Sequence, residues 1–169
     1  TVIDSNKTIC APYSQGNIAM FGLNAGRQCV AMSLCALIYK HRNSRSSSAD
    51  LVSIMNTGNE LYSVLARLHH QDFLLLTELP QMVTVLETNY QMEYSPSYTG
   101  NIHDVSSSVN FLYCMTLGNA LQILIAENYQ SFILTIQCNT VAIYCYGDGR
   151  FRIFDSHARN SSKIEILTA

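Results

Sequence analysis

Gln28-Cys29-Val30-Ala31-Met32-Ser33-Leu34-Cys35-Ala36-Leu37-Ile38-Tyr39-Lys40 is apolar at nearly every position. A helix that is apolar all round, rather than along one stripe, is a buried helix, so this stretch predicts the element on which the core is assembled. Its apolar run, Cys29 to Tyr39, is broken by Ser33 and falls far short of the roughly 20 residues that cross a bilayer, so no membrane association is expected. Gly22 and Gly26 mark a turn into its N-terminus.

Outward from that helix, Leu51, Ile54, Met55, Leu61, Tyr62, Leu65 and Leu68 recur at helical spacing and predict a second helix from Asp50 to Leu68, capped by Ser48 or Asp50. Shorter helices are expected at 80–88 and 117–128, and the serine-rich stretch Asn43 to Ser48 reads as a loop. The last third changes period. Ser131 to Gln137, Val141 to Tyr146 and Arg150 to Asp155 are short β-branched and aromatic runs, parted by Cys138-Asn139-Thr140 and Gly147-Asp148-Gly149. Helices followed by an antiparallel three-stranded meander predict an α+β fold with the buried helix packed on the C-terminal sheet.

Composition bounds what such a fold can do. The chain has 169 residues, 48% of them apolar, and a formal charge of −2, which fits one domain with one core. Only 13% of residues are charged, which excludes disorder through high net charge, and ten Lys and Arg are too few for a nucleic-acid partner. The six cysteines include no C-x-x-C, and Cys35, Cys114, Cys138 and Cys145 sit among apolar residues, so reduced thiols and an intracellular setting are expected. The sequons at Asn6 and Asn160 are read as chance. No signal peptide is expected, and a start at Thr1 reads as a domain cut from a longer protein.

Cysteine catalysis needs a thiolate, a base, a group orienting that base, and donors for the oxyanion. Cys29 falls in the first turn of the buried helix, where unpaired N–H groups and the dipole favour a thiolate; no other cysteine does. Asp155 and His157 close the last strand two residues apart, on one face, where the carboxylate can fix the imidazole tautomer. No metal site is expected, since H-x-x-x-H, C-x-x-C and H-E-x-x-H are all missing, and no cofactor motif is present. His41, His69, His70 and His103 read as helix-end cations or solvated side chains, and Asp148 as a turn residue.

The layout resembles a papain-like cysteine peptidase. More closely, Ser14-Gln15-Gly16, Phe21-Gly22, Ala25-Gly26-Arg27-Gln28-Cys29 and Phe154-Asp155-Ser156-His157-Ala158-Arg159-Asn160 resemble the catalytic framework of the herpesvirus tegument-type deubiquitinases, over about residues 13–160. The resemblance implies a single catalytic domain over 1–169, with Cys29 as nucleophile, His157 as general base and then acid, Asp155 as orienting carboxylate and Gln15 as oxyanion-hole donor. It implies hydrolysis after the C-terminal Gly-Gly of ubiquitin through a thioester, without cofactor. Ubiquitin or polyubiquitin chains are the partners implied, with NEDD8, which shares the tail, as an admissible second; a monomer is expected. The setting would be cytoplasm or nucleus, or virion tegument and host cell for a viral protein. The stretch from Arg42 to Ser108 matches no family motif, so no substrate-binding residue is named.

Two rivals stand beside this reading. Another papain-like Cys-His hydrolase, a general peptidase or amidase, would share the triad, and a small peptide electrophile would separate it from a ubiquitin peptidase. A catalytically inactive ubiquitin-binding module would place no demand on all four of Gln15, Cys29, Asp155 and His157.

Overall fold

The computed structural model describes residues 8–43, 46–70, 72–102 and 113–158. Their order is α1 (Ile18–Phe21), α2 (Cys29–Arg42), α3 (Ser48–His69), β1 (Met82–Val85), β2 (Thr88–Gln91), α4 (Leu117–Ala126), β3 (Ser131–Ile136), β4 (Asn139–Cys145) and β5 (Phe151–Phe154), with single 3-10 turns at Gly22–Asn24 and Leu76–Glu78. They fall into two compact units, one drawn from Thr1–Gln91 and Ser131–Ala169, the other from Met92–Gln130. Helices and antiparallel sheet are thus mixed, as an α+β fold requires.

In the larger unit α2 is buried along almost its whole length, with Ala31, Met32, Ser33 and Cys35 at 0% exposure. Lys40, His41 and Arg42 close it where the helix dipole favours cations. Among the contacts that tie α2 to β4, Ser33 Oγ donates to the Thr140 carbonyl at 3.4 Å, and Lys40 Nζ lies 4.8 Å from the centre of the Tyr144 ring. On its other side α2 meets α3.

Ser47 caps α3, correcting the expectation of Ser48 or Asp50. The Ser47 hydroxyl accepts from Asp50 N at 3.2 Å while Asp50 Oδ2 accepts from Ser47 N at 2.7 Å, so Asp50 is the third-position partner of a capping box. The inward face carries Ile54, Met55, Gly58, Leu61, Tyr62 and Leu65. At Gly58 the two helices approach so closely that a Cβ would stand 2.6 Å from Met32 Cγ and 2.7 Å from its Cα.

The helix expected at 80–88 is instead the antiparallel hairpin β1–β2. Met82–Val85 alternates exposed and buried, with Val83 and Val85 inward, which is period two. Leu86 and Glu87 turn the chain with φ of 50° and 59°, the paired positive values of a two-residue hairpin loop. Because neither is Gly, Asn or Asp, the turn left no sequence signal.

The three-stranded sheet has the order β3-β4-β5 and is antiparallel throughout. Its first turn is Gln137–Cys138, with φ of 47° and 65°, rather than Cys138–Thr140. That moves Thr140 out of the turn and into β4, where it is 1% exposed. Cys138 is exposed at the turn rather than lying among apolar residues, and Cys114 is half-buried; all six cysteines are free. The second turn is as expected, closed by Tyr146 N donating to Arg150 O at 2.8 Å.

In the smaller unit Thr116 caps α4 through its hydroxyl, which accepts from Asn119 N at 3.2 Å. A parallel bridge joins Thr99 to Cys114. His103 lies outside the described residues, His41 and His70 are exposed, and His69 is half-buried. Among the described residues no single helix is long and apolar enough to cross a membrane.

Gly58→Ala should lower the unfolding free energy by about 1–3 kcal/mol in denaturant titrations, because the backbone of Met32 cannot step aside as a side chain would. Gly118→Ala, with nothing within 4 Å of its Cβ, serves as the control and should gain up to about 1 kcal/mol from helix propensity.

Candidate active site

Cys29 is the first residue of α2 and is 6% exposed. The chain reaches it through a turn in which Gly22 and Gly26 take φ of 55° and 83°, values that L side chains adopt at a cost. A polar clamp fixes that turn to α3. Gln28, fully buried just before Cys29, accepts from Arg27 N at 3.2 Å through Oε1 and donates to Asn59 Oδ1 at 3.1 Å through Nε2. Asn24 Nδ2 donates to the same Asn59 oxygen at 3.0 Å and to Ser63 Oγ at 2.8 Å. Arg27 pairs with Asp72 at 2.7 Å, and the Asp72 carbonyl accepts the Tyr62 hydroxyl at 2.6 Å.

β5 ends at Phe154, so Asp155 and His157 are not paired through a strand pleat as the sequence suggested. They lie in a tight turn in which Asp155 Oδ1 takes both the His157 backbone N–H, at 2.9 Å, and ring Nδ1, at 2.7 Å. An aspartate that bonds the backbone two residues on is an Asx turn, and here the same oxygen also sets the ring. Nδ1 is thereby committed to the carboxylate and Nε2 is left for the sulfur of Cys29, to which His157 is hydrogen-bonded.

Gln15 joins the two segments. Its N–H donates to the Ser156 carbonyl at 2.8 Å and its own carbonyl accepts Gly26 N–H at 2.9 Å. The side chain is buried, and Oε1 has no protein partner among the described residues, like the Ser156 hydroxyl. The structure therefore brings Gln15, Cys29, Asp155 and His157 into one cluster in the larger unit. Asn160 lies outside the described residues. Sequence reasoning missed Asn59, Ser63 and Thr140; only Gln28 carried a signal, by standing beside Cys29.

Electrostatics separates Cys29 from the other cysteines. Burial pushes its thiol up, but hydrogen bonds from His157 and from the side chain and backbone of Thr140, with the charge on His157, bring it net below 9.0. Cys35, further along α2, has only burial and the charge of Glu60 acting on it and is pushed up to about 12. The hydrogen bond to Asp155 chiefly, and then that to Cys29, raise His157 to about 9 against its burial. The side chains of His157 and Asp155 are only 16% and 18% exposed, so solvent screens their attraction weakly. The shifts of Cys29 and His157 both favour a thiolate beside an imidazolium, the pairing from which a nucleophile can add to an acyl carbon. Among the described residues no group of three or more His, Cys, Asp or Glu is placed to hold a metal ion.

An open cleft of about 850 Å³ lies to one side, lined by Leu23, Arg27, Tyr62, Arg67, Asp72 and Phe73 among others; Cys29 and His157 are not in it.

Comparison with known proteins adds three findings. The profile of a family described as herpesvirus tegument protein, N-terminal conserved region, matches residues 11–168. Comparison with curated proteins finds no match. Among solved structures, the chain is similar to the ubiquitin-specific protease encoded by murine cytomegalovirus tegument protein M48, in complex with a ubiquitin-based suicide substrate. The TM-score is 0.76 at 16% identity, covering 89% of this chain and 67% of that one, which is a likeness of fold.

The raised value for His157 fixes a sign. Its contribution to folded stability is fully present below the ordinary 6.5 and is lost as pH rises through about 9. An NMR titration of the His157 ring should give a midpoint near 9 in the wild type and a lower one in Asp155→Asn, which removes the larger of its supports. A wild-type midpoint of 6.5 would dismiss the coupled pair.

Proposed function

The chain belongs to the herpesvirus tegument protein N-terminal family, and from that premise we propose that it is a deubiquitinating cysteine peptidase of papain-like architecture. The observation that carries the reading is the hydrogen-bonded series Asp155–His157–Cys29 at the N-terminus of a buried helix. We read 1–169 as a catalytic domain, with α2 as the nucleophile helix resting on the C-terminal sheet. Family membership supports a setting in the virion tegument or the infected host cell.

In this reading the Cys29 thiolate attacks the carbonyl of the glycine that ends ubiquitin, and the carbonyl oxygen becomes an oxyanion. Gln15 Nε2 and the Cys29 backbone N–H, unused by helix bonds in the first turn, donate to it. His157 then gives its Nε2 proton to the departing lysine amine, and the thioester remains. A water molecule, deprotonated by the same ring, attacks the thioester and returns ubiquitin with a free carboxylate and Cys29 as a thiolate paired with the imidazolium. Asp155 holds the tautomer through both steps without taking the proton. That the M48 protease was solved with a ubiquitin-based substrate supports ubiquitin as the acyl donor. Ubiquitin's body would rest outside the cluster, and Leu23, Phe73 and Leu75, exposed around the open cleft, offer it apolar surface.

Ubiquitin bearing a C-terminal alkyne should add once to the wild-type protein and not to Cys29→Ala, read by intact mass; no adduct on folded, reduced protein would refute the assignment. A NEDD8 alkyne run beside it reports whether the shared tail suffices. Gln15→Ala should slow cleavage of a ubiquitin amide roughly a hundredfold with an unchanged circular dichroism spectrum, and wild-type turnover would remove the glutamine from the oxyanion hole.

A further inference from the structure

The register of the sheet leaves the peptide group of Thr140 unclaimed by either neighbouring strand. Two-residue loops such as Gln137–Cys138 are closed by a hydrogen-bonded pair, here Ile136 and Asn139. The next pair, Thr135 and Thr140, is then of the non-hydrogen-bonded kind, with its side chains close together and its peptide groups facing away from each other. Their hydroxyls are indeed 2.9 Å apart. Thr140 N–H and C=O therefore face the β5 side of β4. The β4–β5 pairing stops at Ala142 and Phe154, so no β5 residue reaches Thr140. Its carbonyl is taken by Ser33 Oγ at 3.4 Å, from one turn into α2. Its N–H and its hydroxyl both act on the thiol of Cys29, one turn before Ser33 on the same helix, and draw its pKa down.

We propose that Thr140 is a further catalytic residue, holding the Cys29 thiolate through its hydroxyl and backbone N–H, with Thr135 donating in turn to the Thr140 oxygen. This rests on Cys29 being the nucleophile and is independent of ubiquitin being the substrate. A hydroxyl has one proton to give. If Thr140 spends it on sulfur, the 2.9 Å contact with Thr135 is satisfied only with Thr135 as donor, and the three groups form a directed chain from exposed Thr135 to the buried sulfur. Unlike His157, these donors do not titrate near neutral pH, so they support the thiolate whatever the state of the ring. Burial of Thr140 keeps water from competing for the same bonds. Among the described residues the charge acting on Cys29 is that of His157, backed by Asp155; Glu60 of α3 acts on Cys35.

The test is the pH dependence of Cys29 alkylation by iodoacetamide, read by site-resolved peptide mass so that exposed Cys10 and Cys138 do not intrude. Thr140→Val keeps the branched shape and the backbone N–H while deleting the hydroxyl, and should move the alkylation midpoint up by roughly one to two pH units, the worth of one hydrogen bond to a charged group. Thr140→Ser should stay within a few tenths of a unit of wild type, and Thr135→Val should shift the midpoint upward by less than Thr140→Val does. Where the valine protein does not fold, by circular dichroism, Thr140→Ala gives the same reading without added bulk. An unchanged midpoint in Thr140→Val or Thr140→Ala, or a shift in Thr140→Ser as large as theirs, would overturn the proposal. Alkylation requires no ubiquitin, so failure of the ubiquitin adduct leaves this result standing.

Discussion

The peptide group of Gln15 is pinned from both sides, its N–H on the Ser156 carbonyl and its carbonyl under Gly26 N–H. Those two main-chain bonds, at 2.8 and 2.9 Å, set the turn carrying His157 against the turn that delivers Cys29, segments more than a hundred residues apart in sequence. Main-chain bonds do not depend on rotamers, so the spacing between base and nucleophile is built into the backbone before any side chain is placed. The same link puts the Gln15 side chain in a buried position where Oε1 lacks a partner among the described residues. Orphaned buried polar atoms cost about 1–3 kcal/mol each, and a fold retains them where something other than stability is served.

Within that frame the choice of thiol is electrostatic. Cys29 and Cys35 stand on one helix and both are buried, yet one is drawn toward the thiolate and the other pushed away from it. Burial acts on both in the same direction, so the difference lies in partners. Cys29 has the imidazole and the donors of Thr140, whereas Cys35 has the carboxylate of Glu60. The ring that supports Cys29 is itself supported by Asp155, so the loss of any one member weakens the other two.

What the sequence disclosed follows the range of the interactions involved. The buried helix and the three-strand meander were legible because they rest on periodicity, and Cys29, Asp155 and His157 stood out as candidates because they lie at or just beyond the ends of those elements. Residues 80–88 read as a helix because the turn of the hairpin there, Leu86–Glu87, achieves positive φ without glycine or asparagine. Gln137–Cys138 does the same, and the resulting shift hid Thr140 in a supposed turn. Asn59 was invisible for another reason: nothing local marks a polar residue in mid-helix as the anchor of a glutamine 31 positions earlier.

That anchor also connects packing with chemistry. Gly58 and Asn59 are consecutive on α3, and each meets α2 or its N-terminal turn: Gly58 against Met32, Asn59 against Gln28. Asn59 reaches the buried amide of Gln28 at 3.1 Å because the absent side chain at Gly58 lets the helix axes come so close. Any bulk there must push α3 away from α2, and the Gln28–Asn59 bond, at 3.1 Å, is already near the long end of the range, so a few tenths of an ångström more would break it. Gln28 immediately precedes Cys29 and its side chain holds the Arg27 N–H, so the turn leading into α2 would shift with it. Tight helix packing is in this fold a condition of the site's geometry as well as of its stability.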